Sequence, residues 1–209
     1  MSKKCSAIKA VLFDLGNVLV DFDHRIATVK LLPFCGKNKR EICDFFLDSP
    51  LISLFEEGKI TPEEFFLRIQ QSIRLKLDYE DFVTIWNEIF FFSRKNQAVY
   101  ELARHLKTNC KIALLSNTNI LHFNYLKKSF PVWDIFDQMF LSFELKLKKP
   151  DPLIYKKVLE ELNLPPEAVF YTDDREDFVR QAQLEGIRAV VFSGISQLKN
   201  DLICSSVDI

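Results

Sequence analysis

Four apolar segments of the sequence end in side chains that can bind a cation or a phosphate group. In chain order, these side chains are Asp14, Ser116, Asn117, Lys149, Asp173 and Asp174. Carboxylate oxygens suit a hard cation such as Mg²⁺, whereas hydroxyl, amide and ammonium groups donate hydrogen bonds to phosphoryl oxygens. An aspartate, a metal and several phosphate donors that converge are the components of phosphoryl transfer through an aspartyl-phosphate.

The three aspartates also imply a cation on electrostatic grounds. If Asp14, Asp173 and Asp174 pack together without a counter-charge, they repel one another and each raises the pKa of the others. A bound Mg²⁺ is the simplest way to relieve that repulsion. Each motif is weak by itself, because an aspartate that ends a strand is often a helix cap, but their order and their common position after strands make a strong combined signal.

Five short segments are predicted to be the strands that position these side chains. They are rich in Val, Ile, Leu and Phe and alternate little with polar residues, which is typical of strands covered on both faces. They are Ile8–Phe13, Lys111–Leu115, Gln138–Ser142, Ala168–Thr172 and Arg188–Phe192. Helical patterns lie between them, at Arg94–Lys107, Ile120–Lys128, Leu153–Leu162 and Glu176–Glu185. This alternation predicts an α/β fold with a Rossmann-like, doubly wound parallel sheet whose strand ends meet in one crevice.

One connection in this pattern is much longer than a βαβ crossover requires. The stretch 22–92 is helical in pattern and rich in phenylalanine, and Thr61-Pro62-Glu63-Glu64 is a capping box with proline at the first helical position. We therefore predict an inserted α-helical cap subdomain at 22–92, with the Rossmann-like core formed by 1–21 and 93–209.

The phenylalanine runs of this predicted cap have two possible roles. Phe45-Phe46 and Phe90-Phe91-Phe92 either line a substrate pocket or form the core of a small helical bundle. The bundle core is the simpler interpretation, because clustered aromatic residues in a helical segment most often pack against one another.

The composition argues against several classes of partner. The 28 Lys+Arg and 29 Asp+Glu residues give a net charge of −1, so we expect neither nucleic acid nor a membrane as a partner. The five glycines do not spell a dinucleotide fingerprint or a P-loop. The five cysteines are widely spaced, which indicates reduced thiols, and charges interrupt the apolar run near the N-terminus. We predict a cytoplasmic protein whose partner is a small phosphorylated molecule; the pattern does not indicate an oligomeric state.

Four runs of sequence carry a family resemblance. They are FDLGNVLVDFD, LSNTN, KKPDPLIYKKVL and TDDREDF. With them the sequence resembles the haloacid dehalogenase-like (HAD) hydrolase superfamily across essentially the whole chain, in the branch that carries a helical cap between its first two motifs. Within that branch it is similar to the group of sugar-phosphate phosphatases that contains the glucose-1-phosphate phosphatases.

The resemblance implies a role for each site residue. Asp14 would be the nucleophile that attacks phosphorus, Ser116 with Asn117 would hold the phosphoryl group, and Lys149 would balance the charge. The ligands implied for Mg²⁺ are Asp14, the main-chain carbonyl of Gly16, Asp173 and Asp174. The inserted helices would close over the substrate and exclude water. The implied function is a Mg²⁺-dependent phosphatase of small phosphorylated metabolites, with sugar phosphates favoured.

The sequence departs from the family pattern at one position. The usual first motif is Asp-x-Asp, and its second aspartate protonates the leaving oxygen, but this chain has Gly16 there. General acid catalysis contributes roughly 10²–10⁴-fold. Three explanations remain open: another acid substitutes, the leaving group is a good one such as an anomeric phosphate, or the site is degenerate. The candidate substitute acids are Asp21, Asp23, His24 and Glu56.

Two alternative functions follow from the same residues. A 2-haloacid dehalogenase of this superfamily uses the first aspartate, needs no second one and dispenses with metal. The Asp173-Asp174 pair, together with Lys149 and Ser116, fits Mg²⁺ and phosphate better. A catalytically degenerate protein that still binds phosphate is the other alternative.

Overall fold

The computed structural model describes residues 7–209, except for the side chains of residues 46–48. The strands are β1 (Ala10–Phe13), β2 (Asp21–Phe22), β3 (Phe90–Phe91), β4 (Lys111–Ser116), β5 (Gln138–Leu141), β6 (Val169–Asp173) and β7 (Arg188–Val191). The helices are α1 (His24–Leu31), α2 (Lys39–Asp48), α3 (Pro50–Glu56), α4 (Pro62–Ile73), α5 (Tyr79–Asn87), α6 (Arg94–Leu106), α7 (Ile120–Ser129), α8 (Ser142–Leu145), α9 (Pro152–Leu162), α10 (Glu176–Leu184) and α11 (Ile195–Cys204).

The core is a five-stranded parallel sheet in the order β5-β4-β1-β6-β7. Successive residues of the central strand β1 point to opposite faces, and both faces are covered. Val11 and Phe13 pack into one hydrophobic layer and Ala10 and Leu12 into the other. Burial on both faces explains why the strands read as continuous apolar segments. The predicted doubly wound, Rossmann-like sheet is confirmed.

The two helical layers contain the helices that the sequence predicted. Buried residues of α6, α7 and α11 cover one face of the sheet, and those of α9 and α10 cover the other. Asp151 caps α9 by accepting a hydrogen bond from the main-chain N–H of Leu153. Helices α8 and α11 were not predicted; α8 is a single turn, too short to show a helical period.

The inserted cap consists of α1 to α5 and has a hydrophobic core of its own. Phe55, Phe65, Phe82 and Trp86 are buried there, and the rings of Phe55 and Phe65 stack at 4.1 Å between centroids. Of the phenylalanine runs named above, Phe45 packs against this cluster, as the bundle-core interpretation expects. The predicted capping box is also present, with Thr61 and Glu64 at the start of α4.

A short antiparallel ribbon connects the cap to the core. In it Asp21 pairs with Phe91 and Phe22 with Phe90. Two-residue strands carry no periodic signal, so the sequence did not predict them. Phe90 lines a cavity near the strand ends whereas Phe91 is largely exposed; Phe46 lies outside the described side chains. The division at 22–92 stays a prediction.

The cysteines within the described residues are free thiols. Cys35, Cys43 and Cys110 are half-buried and Cys204 is exposed, while Cys5 lies outside the described residues. Within residues 7–209, no helix has both the length and the apolar character needed to cross a membrane. The cytoplasmic location stays a prediction.

Candidate active site

The polar strand ends meet at the carboxyl edge of the sheet. Asp14 directly follows β1, and its main-chain N–H donates to the carbonyl of Thr172 in β6 at 3.0 Å. Ser116 ends β4 and Asp173 ends β6. Because β1 lies between β4 and β6, these ends are neighbours. The predicted crevice is therefore present.

Three carboxylates and one ammonium group form the centre of this crevice. Ligand oxygens of Asp14, Asp173 and Asp174 all lie within 4.8 Å of one another. The ammonium group of Lys149, whose side chain is 1% exposed, lies 2.7 Å from Asp14 Oδ1 and 2.6 Å from Asp173 Oδ2. It also donates to the carbonyl of Leu115 at 3.0 Å. All its donors are thus directed at the cluster and at the adjoining strand.

The cluster carries more negative than positive charge. Burial and the nearby Asp173 raise the pKa of Asp14 to about 7, although Lys149 opposes the shift. Burial also raises the pKa of Asp174. Burial alone would lower the pKa of Lys149, but the carboxylates of Asp14 and Asp173 raise it. A compact set of oxygen ligands with excess negative charge fits a hard divalent cation such as Mg²⁺.

The loop after Asp14 brings a further residue into contact with the cluster. Asn17 has a left-handed backbone (φ 56°), and its side-chain amide donates to Asp174 Oδ2 at 2.8 Å. The ammonium group of Lys95 in α6 donates to the carbonyl of Asn17 at 2.8 Å. This bond fixes the loop to α6. Sequence reasoning missed Asn17. The available signal was an asparagine after glycine in a turn, because asparagine tolerates the left-handed region.

Gly16 lies directly beneath an aromatic ring. A Cβ atom at this position would lie 2.6 Å from Cε1 of Phe22, closer than packed carbon atoms approach. The ring therefore fills the space in which the second aspartate of the Asp-x-Asp motif would begin.

The predicted phosphate donors differ in what their side chains contact. Ser116 is buried and lines a small cavity of about 70 Å³ beside the carboxylates. The side chain of Asn117 bonds to the main chain of Lys149 at both ends: its amide donates to the carbonyl at 2.9 Å and its oxygen accepts from the N–H at 2.8 Å. The side chain of Asn117 therefore positions Lys149, and the donors that remain for phosphate are its second amide N–H and its main-chain N–H.

A larger cavity of about 600 Å³ opens from the carboxylates toward the cap. Cap residues Ser49, Ser53 and Glu56 line it together with Lys148 and Arg175 of the core. The small cavity shares Gly16, Phe22, His24, Ile52, Glu56 and Asn117 with it. The site thus combines the charged cluster with a larger cavity that has polar lining residues and a smaller cavity that has aromatic ones.

The turn after α3 is held tightly against the core. The hydroxyl of Ser142 donates to the carbonyl of Glu56 at 2.6 Å, and the ammonium of Lys146 donates to the carbonyl of Gly58 at 2.5 Å. Gly58 has a positive φ of 59°, and a Cβ there would lie 2.3 Å from the carbonyl oxygen of Phe143. Only glycine allows so close an approach.

Two of the candidate acids have structural partners away from the cavity lining. Although burial alone would raise the pKa of Asp21, hydrogen bonds from Lys95, Ser93 and Asn96 lower it. Hydrogen bonds from Arg25 lower the pKa of the half-buried Asp23 to about 2. Both carboxylates are therefore ionised at neutral pH and are unsuited to donate a proton. His24 and Glu56, by contrast, line the cavity.

Curated proteins of similar sequence include several phosphatases. The chain is 25% identical to the sesquiterpene phosphatase astK of Aspergillus oryzae, over 88% of this chain and 89% of that protein. It is 24% identical to a D-ribitol-5-phosphate phosphatase of Bacteroides thetaiotaomicron, over 80% and 83% respectively. It is also 25% identical to the drimenol cyclase drtB of Aspergillus calidoustus, but it spans only 36% of that protein's length.

A solved structure and a family model agree with this similarity. A HAD family enzyme of Bacteroides thetaiotaomicron, solved with magnesium and inorganic phosphate, superposes with a TM-score of 0.80 at 29% identity. The match covers 88% of this chain and 94% of that one. The family model for haloacid dehalogenase-like hydrolases matches residues 8–182. With its five-stranded sheet, its helical cap and its carboxylate cluster at the strand ends, the chain belongs to the haloacid dehalogenase-like hydrolase family.

Proposed function

We propose that this chain is a Mg²⁺-dependent phosphatase that hydrolyses small phosphorylated metabolites, with sugar phosphates favoured. The observation that carries the proposal is the buried cluster in which Lys149 bonds to both Asp14 and Asp173 with Asp174 alongside. A nucleophilic carboxylate, an ammonium group and spare oxygen ligands in one crevice suit attack on a phosphorylated substrate.

The reaction would proceed through a phosphorylated aspartate. Asp14 attacks the phosphorus atom, the bond from phosphorus to the ester oxygen breaks, and the organic alcohol leaves. Water then hydrolyses the aspartyl-phosphate and releases inorganic phosphate. The ammonium group of Lys149, 2.7 Å from Asp14, offsets the negative charge that accumulates as nucleophile and phosphate approach. Ser116 and the main-chain N–H of Asn117 serve as donors to the phosphoryl oxygens.

Asp14, Asp173, Asp174 and the carbonyl of Gly16 are the proposed ligands of Mg²⁺. Once bound, the ion supplies positive charge that lets phosphate approach the carboxylates and polarises the phosphoryl group. The HAD family enzyme solved with magnesium and phosphate supports this proposal by analogy.

The size and the lining of the cavity favour a substrate with a polar organic group. Its volume of about 600 Å³ far exceeds that of inorganic phosphate, and Ser49, Ser53 and Glu56 contribute polar groups to its lining. Such groups can bond to the hydroxyls of a sugar or sugar alcohol. The related D-ribitol-5-phosphate phosphatase supports this substrate class, whereas the sesquiterpene phosphatase supports phosphorylated compounds more generally.

A substrate panel tests the proposal against both alternatives. Phosphate release would be measured from sugar 1-phosphates, sugar 6-phosphates, nucleotides and an isoprenoid phosphate, with Mg²⁺ and with EDTA. Halide release from 2-haloacids would be measured in parallel.

We expect phosphate release that EDTA abolishes, with the highest kcat/KM on a sugar phosphate. Halide release that persists in EDTA would assign the dehalogenase function instead. Binding of a phosphate analogue without turnover of any ester would assign the degenerate, phosphate-binding function.

A further inference from the structure

The space beside the nucleophile cannot hold a second carboxylate without moving an aromatic ring. A Cβ at Gly16 would lie 2.6 Å from the ring of Phe22. If the enzyme cleaves esters with poor leaving groups, the proton for the departing oxygen has to come from another part of the cavity.

Besides the cations Lys148 and Arg175, two titratable groups outside the carboxylate cluster line the cavity, His24 and Glu56, and they differ in their proton affinity. Burial lowers the pKa of His24, so its imidazole is neutral near pH 7 and holds no acidic proton of suitable strength. Burial raises the pKa of Glu56, with a smaller contribution in the same direction from Glu57, whereas Lys148 and Arg175 oppose the shift. Glu56 is therefore better suited than His24 to carry a proton near neutral pH.

The geometry of Glu56 fits a group that faces the substrate from the cap. Glu56 ends α3 and lines both cavities, and it shares the larger one with Asp14. Its side chain is 25% exposed, and Oε2 lies 3.3 Å from the ammonium group of Lys148. Its main chain is fixed by the bond from Ser142. The carboxylate is therefore held within the cavity and is not free in solvent.

We propose that Glu56 is the general acid–base residue of this site, an inference that rests on the proposed phosphatase function. As Asp14 bonds to phosphorus and the bond from phosphorus to the ester oxygen breaks, the protonated carboxyl of Glu56 gives its proton to that oxygen, and a neutral alcohol leaves. The resulting carboxylate then takes a proton from water, whose oxygen attacks the phosphorus of the aspartyl-phosphate. Inorganic phosphate leaves, Asp14 is free again, and Glu56 is reprotonated for the next turnover.

This assignment ties protonation to the contact between the cap turn and the core. The bonds from Ser142 and Lys146 to the turn that follows α3 hold Glu56 over the site. The acid can therefore reach the ester oxygen while the cap turn contacts the core.

The test compares Glu56→Gln with Glu57→Gln on two esters. Glu57 is the next residue of the same turn; it bonds to Lys59 at 2.5 Å and is not part of either cavity lining. One ester is the alkyl phosphate that the wild-type protein hydrolyses best, whose alkoxide needs a proton. The other is p-nitrophenyl phosphate, whose phenolate leaves without one.

With Glu56→Gln we expect kcat/KM to fall roughly 10²–10⁴-fold on the alkyl ester and by less than about threefold on the aryl ester. Because the same residue activates water in the second step, the aryl ester should also show a burst of p-nitrophenolate as aspartyl-phosphate accumulates. Glu57→Gln removes only a small contribution to the raised pKa of Glu56, so kcat/KM on both esters should stay within about threefold of the wild-type value, with no burst.

Two outcomes would overturn the assignment. An equal loss of kcat/KM on both esters would mean that Glu56 binds the substrate or only holds the turn. Unchanged kcat/KM on both esters would mean that Glu56 takes no part in the reaction. Absence of turnover of every ester by the wild-type protein would instead overturn the proposed function itself.

Discussion

The ring of Phe22 covers Gly16 so closely that a Cβ at residue 16 would lie 2.6 Å from Cε1 of the ring. Phe22 belongs to the ribbon that leads into the cap, whereas Gly16 belongs to the loop after the nucleophile. The ring of Phe22 therefore packs where a second acid at residue 16 would begin. A change at either residue alone should lower the stability of the fold.

Gly16→Asp should not create a more active enzyme. The new side chain has to displace Phe22, and overpacking of this kind costs about 1–3 kcal/mol. Urea unfolding should show the lower stability, and phosphatase assays should show no gain in kcat. The double variant Gly16→Asp/Phe22→Ala lacks the ring, so it should be no less stable than the single variant Phe22→Ala. An equal penalty in both backgrounds would show that the ring is not its cause.

Asp14→Asn should abolish turnover without unfolding the protein. The amide is isosteric but is not a nucleophile, so kcat should fall by roughly 10³-fold or more. Because burial and Asp173 disfavour the ionised form of Asp14, loss of this charge should not lower the thermal midpoint greatly. Asp134→Asn is a matched control, since Asp134 bonds to Tyr100 far from the cluster. Turnover near the wild-type level in Asp14→Asn would exclude Asp14 as the nucleophile.

Asn117→Ala should act through Lys149. Loss of the two bonds to the Lys149 main chain leaves these polar groups unpaired, at a cost of about 1–3 kcal/mol in stability. The misplaced ammonium group should lower kcat more than it raises KM. Asn117→Asp keeps the acceptor for the Lys149 N–H, so it should retain more activity than Asn117→Ala. If a direct bond from the side-chain amide to phosphate were its role, both variants should lose phosphate-analogue affinity equally.

His122 should make the junction of cap and core sensitive to acid. Its Nδ1 lies 3.0 Å from the Asn119 amide nitrogen and its Nε2 lies 3.3 Å from the Trp86 carbonyl. The oxygen of Asn119 accepts from the His122 main chain, so the amide presents its N–H to Nδ1, which accepts. Burial, together with His24, lowers the pKa of His122 to about 3, in accord with a neutral ring.

The sign of the pH effect follows from that pKa. Below pH 6.5 the unfolded chain binds a proton at His122 that the folded protein does not bind until pH falls to about 3. The free energy of unfolding should therefore decrease as pH falls, by about 1.6 kcal/mol between pH 6.5 and 5, and the slope from this residue should disappear above about pH 7.5.

Urea unfolding at several pH values measures that slope. His122→Gln should flatten it, whereas the exposed His105→Gln control should not. The slope that remains in His122→Gln is expected to come partly from His24, whose pKa is also lowered by burial. An unchanged slope in His122→Gln would contradict the assignment of a neutral, buried ring.

The local patterns of the sequence were enough to predict the parallel sheet and the crevice at its edge. Residues 112–115 of β4 are all apolar because helices cover both faces of the sheet. In a parallel sheet all carboxyl ends lie on one side, so polar residues that follow the strands have to converge. Asp14, Lys149 and Asp173 could be grouped on that basis alone, without knowledge of any contact.

The contacts that modify the chemistry needed the tertiary structure. The side-chain amide of Asn117 turned out to hold the Lys149 main chain, 32 residues away. Ser142 holds Glu56 across 86 residues, and the ring of Phe22 closes the space at Gly16. Each of these depends on how separate elements pack, and packing between distant residues leaves no period or spacing in the chain. The sequence by itself determined which groups meet at the strand ends. Only the tertiary structure decided which of them are already bonded, which lie buried, and which side chains of the cap line the same cavity as the nucleophile.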